Sequence, residues 1–208
     1  MPYPDLPYRE VLLPSGHRIL QDGSSQGISL ASELLYQETL AAKEDAPIKA
    51  LELGSGCGIV SIMCAFARPM WEITGLELQP ELASLARHNA KICHLGIDFR
   101  EADLRHAEGS YHLIYANPPW RKLKSGLLSP IPARNISRFE ITCTMKDILD
   151  AIARLLLPDG KAILIYPEER LEELIQEATN TLLDTKKHRK HGGNKAYVSA
   201  IITHRDMK

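Results

Sequence analysis

Ile48-Lys-Ala-Leu-Glu-Leu-Gly-Ser-Gly-Cys-Gly-Ile-Val60 runs one apolar segment into a glycine-rich turn and then into a second apolar segment. Ile48 to Leu53 reads as a strand, and Ile59 to Ala67, stopped before Pro69, reads as a helix. Between them Gly54, Gly56 and Gly58 let the backbone turn sharply and let a ligand approach closely, because no Cβ intervenes. A strand, a glycine turn and a helix form the opening unit of a parallel α/β sheet.

The alternation continues on the C-terminal side. Trp71–Leu76 reads as a strand, Pro80–Leu95 as a helix with its proline in the first turn, and Ile97–Arg100 and Tyr111–Ala116 as two more strands. A helix over Met145–Leu157 stops at Pro158-Asp-Gly160. The strand Lys161–Tyr166 and a helix over Glu168–Leu183 follow. Two last strands, around Thr185–Arg189 and Ala196–His204, are joined through Gly192-Gly-Asn194, a hairpin signal that makes one edge strand antiparallel. Upstream, Arg9–Leu13 and His17–Leu20 flank Pro14-Ser-Gly16 as a small hairpin, and Ser29–Ala42 carries leucines at helical spacing. The expected architecture is α/β: a seven-stranded, mostly parallel sheet with helices on both faces. Residues 1–28 form an N-terminal hairpin extension and 29–208 the main domain. The one long irregular stretch, Lys122–Ser137, has the length at which loops tend to be functional.

Composition narrows the class. A chain of 208 residues, 44% apolar and 25% charged, has enough apolar residues for one substantial core. With a formal net charge of -1, any nucleic-acid partner must be met by a local basic patch. Cys57, Cys64, Cys93 and Cys143 show no metal or redox spacing and read as reduced thiols of a cytoplasmic protein. The scattered histidines give no support for a metal. The start, Met-Pro-Tyr-Pro-Asp, lacks signal-peptide character, and no apolar stretch approaches the roughly 20 residues of a membrane helix.

Three strand ends carry residues suited to a nucleoside-like ligand. Glu77, after the second strand, stands where an acid accepts hydrogen bonds from ribose hydroxyls, with Leu78 beside it to pack on a ring. Asp103, after the third strand, is placed to accept from an adenine amino group, with Leu104 on the ring face. Asn117-Pro118-Pro119-Trp120 freezes the chain where the Tyr111–Ala116 strand ends. There an amide and prolyl carbonyls can accept from a planar amino group while the indole covers its flat face. The same tetrapeptide also suits an ordinary strand-ending turn, and the two acids also suit solvated loops. The glycine spacing, Gly-x-Gly-x-Gly, differs from the Gly-x-Gly-x-x-Gly of nicotinamide sites.

Together, Glu52-Leu-Gly-Ser55-Gly-Cys-Gly58, Glu77, Asp103 and Asn117-Pro-Pro-Trp120 resemble the ordered motifs of the Rossmann-like, class I S-adenosylmethionine-dependent methyltransferases, in the Asn-Pro-Pro-aromatic branch that methylates amino nitrogens. Gln21-Asp-Gly23, Arg138-Phe-Glu140 and Pro167-Glu-Glu-Arg-Leu171 resemble the bacterial tRNA (adenine-N6)-methyltransferases. Where that group commonly has Tyr or Phe, this chain has Trp120, and Ser32-Glu33 stands where an Asp often precedes the first helix's leucines. The resemblance implies S-adenosylmethionine as cofactor, held by Glu52, Gly54, Ser55, Gly56, Gly58, Glu77, Leu78, Asp103, Leu104 and Asn117. It implies catalysis at Asn117, Pro118, Pro119 and Trp120, and an RNA substrate, tRNA first. Arg121, Lys122 and Lys124 follow the turn directly, where a phosphate backbone would pass. A second basic run, Lys186-Lys-His-Arg-Lys190, has the usual composition of a solvated surface. A protein glutamine side chain or an rRNA guanine amino group would suit the same tetrapeptide. The glutamine reading is weakened by the lack of a sizeable segment before the core, and a non-catalytic cofactor-binding subunit is opposed by the intact motifs.

Overall fold

The computed structural model describes residues 8–22, 28–122, 142–191 and 196–205, with the side chains of 187 and 188 left aside. The segments Gly23–Gly27, Leu123–Ile141 and Gly192–Lys195 lie outside it, and with them Lys124, the Arg138-Phe-Glu140 motif and the turn of the last hairpin.

Strands β3 (Ile48–Leu53), β4 (Trp71–Glu77), β5 (Asp98–Glu101), β6 (Tyr111–Ala116), β7 (Leu156–Pro167), β8 (Leu183–His191) and β9 (Tyr197–His204) make one seven-stranded sheet in the order β5-β4-β3-β6-β7-β9-β8. The first five are parallel neighbours, whereas β9 runs antiparallel to both β7 and β8. The antiparallel pairing expected at one edge is therefore present, with β8 outermost. A separate antiparallel pair, β1 (Tyr8–Leu12) and β2 (Arg18–Asp22), forms the N-terminal hairpin.

Apolar residues on both sides of the central strands explain the two covered faces. Ala50, Leu113, Tyr115, Ile163 and Ile165 point to one face, against α1 (Leu30–Ala42), α2 (Ile59–Ala67) and α3 (Pro80–Ile92). Their sequence neighbours Leu51, Leu53, Ile114, Ala116, Ala162 and Leu164 point to the other, against α4 (Met145–Leu155) and α5 (Leu171–Asn180). Each fully buried leucine or isoleucine among them stabilises the fold by about 1.5–3 kcal/mol. Val11, Leu13 and Ile19 carry the hairpin into the first of these cores. The helix starts are chemically marked: the Ser29 hydroxyl accepts from the Ser32 amide at 3.1 Å, and Thr144 and Asp147 form a reciprocal capping box.

Several boundaries differ from the sequence expectation, each for a local reason. The helix expected to reach Leu95 ends at Ile92, because His94 turns left-handed (φ 55°) and the Leu95 amide bonds back to the Ala90 carbonyl. The helix expected to reach Leu157 ends at Leu155, since Leu156 already pairs with Tyr111 as strand. Pro158-Asp-Gly160 is not a helix stop but an irregularity inside β7, between the pairs Tyr111–Leu156 and Leu113–Lys161. The last helix begins as a 3₁₀ turn over Glu168–Arg170 and closes before Leu182, which also has a positive φ of 61°. No helix among the described residues is long and apolar enough to cross a membrane.

Candidate active site

The chain passes from β3 through β4 to β5 on one side, then returns to place β6 on the other side of β3. Crevices outside the carboxyl ends of strands at such a switch are where open α/β sheets take ligands. A cavity of about 240 Å³ opens there. That is many times the roughly 10–15 Å³ a single water needs, which marks it as ligand space rather than a packing flaw.

Its floor is the glycine turn. Gly54 and Gly56 both have positive φ (73° and 54°), and a Cβ on either would meet no atom within 4 Å, so both present bare backbone to open space. The turn's amides are held inside the protein. Gly54 and Ser55 donate to the Leu76 carbonyl at 2.9 Å each, and Gly56 donates to Glu77 Oε2 at 2.8 Å. Glu77 Oε1 accepts the Gln79 amide at 2.9 Å, so two main-chain N–H groups orient this carboxylate at the cavity wall. Burial pushes the Glu77 carboxyl pKa up, partly opposed by those hydrogen bonds. These three amides are spent on β4 and its acid.

Glu52, Ser55 and Gly58 are not among the described residues that line the cavity. Glu52 lies beneath it and accepts from the Ser61 amide (3.1 Å) and hydroxyl (2.5 Å), and that hydroxyl shares a 2.8 Å hydrogen bond with the Tyr115 phenol. Burial raises its pKa to about 8, against the pull of the Ser61 hydrogen bonds. Ser55 is buried, and its hydroxyl has no partner among the described residues. Gly58, at φ 84°, caps α2, where a Cβ would stand 2.6 Å from the Phe99 ring. These three shape the turn from behind.

Leu78, Asp103 and Leu104 do line the cavity. Asp103 caps a 3₁₀ turn over Leu104–His106 and accepts the Arg105 amide at 2.9 Å. Both its carboxylate oxygens also face the Arg105 guanidinium, which lowers its pKa. The acid expected to accept from an adenine amino group thus already has a strong partner. Leu53, Leu76, Leu82 and Ile148 make the apolar wall, and Cys143 also lines the cavity; the sequence marked them as core or left them unassigned.

Asn117, Pro118 and Pro119 line the same cavity from β6, opposite Glu77. Trp120 is not among its lining residues. It packs partly buried on the α4–α5 side of the sheet, with the Arg121 guanidinium 5.1 Å from its ring centre. Lys122 is paired with Glu173 at 3.0 Å. Of the second basic run, Arg189 pairs with Glu38 and Lys190 with Glu168. No group of three or more His, Cys, Asp or Glu among the described residues has a metal-holding arrangement.

The sequence profile of the methyltransferase small domain matches residues 23–129, which include the glycine turn, Glu77, Asp103 and the Asn-Pro-Pro-Trp turn. The chain belongs to that family. It is 31% identical, over 150 residues, to a tRNA1(Val) (adenine(37)-N6)-methyltransferase of Porphyromonas gingivalis, a match covering 67% of this chain and 58% of that protein. A release factor glutamine methyltransferase of Lactococcus lactis is 32% identical over 90 residues, covering 43% of this chain and 33% of that one. The fold is shared with a methyltransferase from Pyrococcus furiosus (TM-score 0.65, 16% identity, 89% of this chain and 88% of that one). The chain therefore spans under two thirds of the length of the curated relatives it matches.

Proposed function

We propose that this protein is a cytoplasmic S-adenosylmethionine-dependent N-methyltransferase acting on an exocyclic amino nitrogen of a nucleic-acid base, adenine N6 in tRNA first among them. The observation that carries the reading is a single cavity bounded on one side by Gly54, Gly56 and Glu77 and on the other by Asn117, Pro118 and Pro119. A pocket for the methyl donor and a grip for the methyl acceptor thus share one space.

The residues present fit that cofactor. Gly54 and Gly56 leave room where side chains would intrude, Glu77 is oriented to accept from ribose hydroxyls, and Leu78 and Leu104 offer flat apolar contact for a base. When bound, the cofactor supplies a sulfonium methyl, whose bond to sulfur breaks as the bond to the acceptor nitrogen forms. The protein's own task is alignment, which is worth roughly 7–11 kcal/mol in favourable cases. Asn117, through its side-chain oxygen, and Pro118, through its main-chain carbonyl, accept the two N–H groups of the amino nitrogen. These hydrogen bonds strengthen as positive charge grows on that nitrogen, so they favour the transition state over the ground state. An adenine inside a duplex is out of reach, so the target is unpaired or flipped out. Residues 29–208 are the proposed methyltransferase body, and the β1–β2 hairpin of the 1–28 extension braces the glycine turn through Leu20 and Asn89.

A protein glutamine is the second reading, supported by the match to release factor glutamine methyltransferases. Incubation with methyl-labelled S-adenosylmethionine and either bulk tRNA or total protein, followed by mass spectrometry of the nucleosides or of the protein digest, separates the two. The expected product is N6-methyladenosine. Label appearing only in protein N5-methylglutamine would replace the first reading with the second.

A further inference from the structure

Pro167-Glu-Glu-Arg-Leu171 stands out in the sequence, yet its residues do not line the cavity. Arg170 within it is only 7% exposed, an unusual position for a permanent charge. A guanidinium leaves water without large cost only when its donors and its charge are met. Nε and Nη2 form a fork onto the two oxygens of Glu173 at 2.9 and 2.8 Å, and Nη1 donates to the main-chain carbonyl of Trp120 at 2.5 Å. The Tyr166 ring lies 5.9 Å from the guanidinium carbon. Glu173, whose pKa is lowered chiefly by Arg170, reaches on to Lys122 at 3.0 Å.

We infer that Arg170 is a positioning residue that fixes the outer end of the Asn117–Trp120 turn, with Glu173 as the bridge that carries this hold to Lys122. The reasoning rests on the function proposed above, because it is that reading which makes the turn the acceptor's grip. Pro118 and Pro119 stiffen the turn from within. They do not fix its orientation relative to β7 and α5, and the Arg170 hydrogen bond to Trp120 does. One buried side chain thereby sets both the tilt of the Asn117 and Pro118 acceptors and the station of the first basic residues beyond them. Only arginine suits this place: a lysine ammonium can meet Glu173 or the Trp120 carbonyl but lacks the planar fork that meets both.

The test uses the full chain. In a Trp71→Phe background Trp120 is the one tryptophan left, so acrylamide quenching of its fluorescence reports the turn directly. Arg170→Met and Arg170→Lys are compared there, and kcat and the KM for S-adenosylmethionine are measured with an unmodified transcript of a valine tRNA. The expected result for Arg170→Met is stronger quenching and a kcat lower by roughly 10- to 100-fold, with the cofactor KM unchanged. Arg170→Lys should regain thermal stability without regaining kcat. Unchanged quenching and kcat in Arg170→Met, or full recovery of kcat by lysine, would overturn the inference. Should Arg170→Met fail to fold, Arg170→Lys and Glu173→Gln decide by the same two readouts. Should the parent transfer no methyl to the transcript, the proposed substrate falls, while the quenching comparison still decides whether Arg170 holds the turn.

Discussion

Asn89 holds Leu20 by both of its main-chain groups: its Oδ1 accepts the Leu20 amide at 2.9 Å, and its Nδ2 donates to the Leu20 carbonyl at 2.8 Å. The same Nδ2 donates to the Cys57 carbonyl at 2.9 Å, within the glycine turn. A fully buried amide on α3 thus ties the N-terminal hairpin to the floor of the candidate site. Asn89→Ala takes this partner from the buried Cys57 carbonyl and from the half-buried carbonyl and amide of Leu20. The expected loss is about 3 kcal/mol of stability in urea unfolding, with weaker S-adenosylmethionine binding by calorimetry.

The Phe99 ring fills the space between two glycines. A Cβ would stand 2.6 Å from it at Gly58 and 2.5 Å from it at Gly75. Gly75→Ala should cost about 1–3 kcal/mol through overpacking, and Phe99→Leu in the same chain should return part of that loss. Gly58→Ala adds the left-handed backbone penalty of about 1–2 kcal/mol. Gly56→Ala, facing open space, carries only the backbone penalty and should act chiefly on ligand affinity. Denaturant melts with and without S-adenosylmethionine distinguish the three.

Glu52 gives a pH signature. Its carboxyl, raised by burial from 4.5 to about 8, keeps its proton in the folded protein while the unfolded chain releases it. Between those values the folded state binds more protons, so this group's contribution to stability falls as pH rises. Glu77, raised for the same reason, acts in the same direction. Glu52→Gln, an uncharged isostere, should therefore gain on the parent steadily from pH 5 to pH 8 in thermal melts. A constant difference across that range would contradict the assignment.

Asn117→Ala removes a proposed acceptor without touching the glycine turn. Methyl transfer should fall by roughly 10²–10³-fold, the usual effect of losing one aligned hydrogen bond to developing charge. The thermal shift with S-adenosylmethionine should shrink by the one cofactor contact expected of Asn117 but not vanish, because Gly54, Gly56 and Glu77 stay intact.

The sequence by itself determined the strand–helix alternation, the parallel sheet with its antiparallel end, and the strand-end order that brings Gly54, Gly56, Glu77, Asp103 and Asn117 to one cavity. It did so because each rests on short-range rules: two-sided apolar strands, glycines in a turn, and prolines where a strand must stop. The local order of Gly54, Gly56, Glu77, Asp103 and Asn117 then follows from parallel strands sharing one carboxyl edge. What only the tertiary structure decided is how each group is spent. The loop amides bond to Leu76 and Glu77, Asp103 faces Arg105, Glu52 braces Ser61, and Trp120 packs on the α4–α5 core outside the cavity with its carbonyl on Arg170. Trp120 and Arg170 lie 50 positions apart in the chain, and Leu20 and Asn89 lie 69 apart. Hydrogen-bond satisfaction in a buried space depends on distance and angle among such segments, which no local pattern of residues encodes.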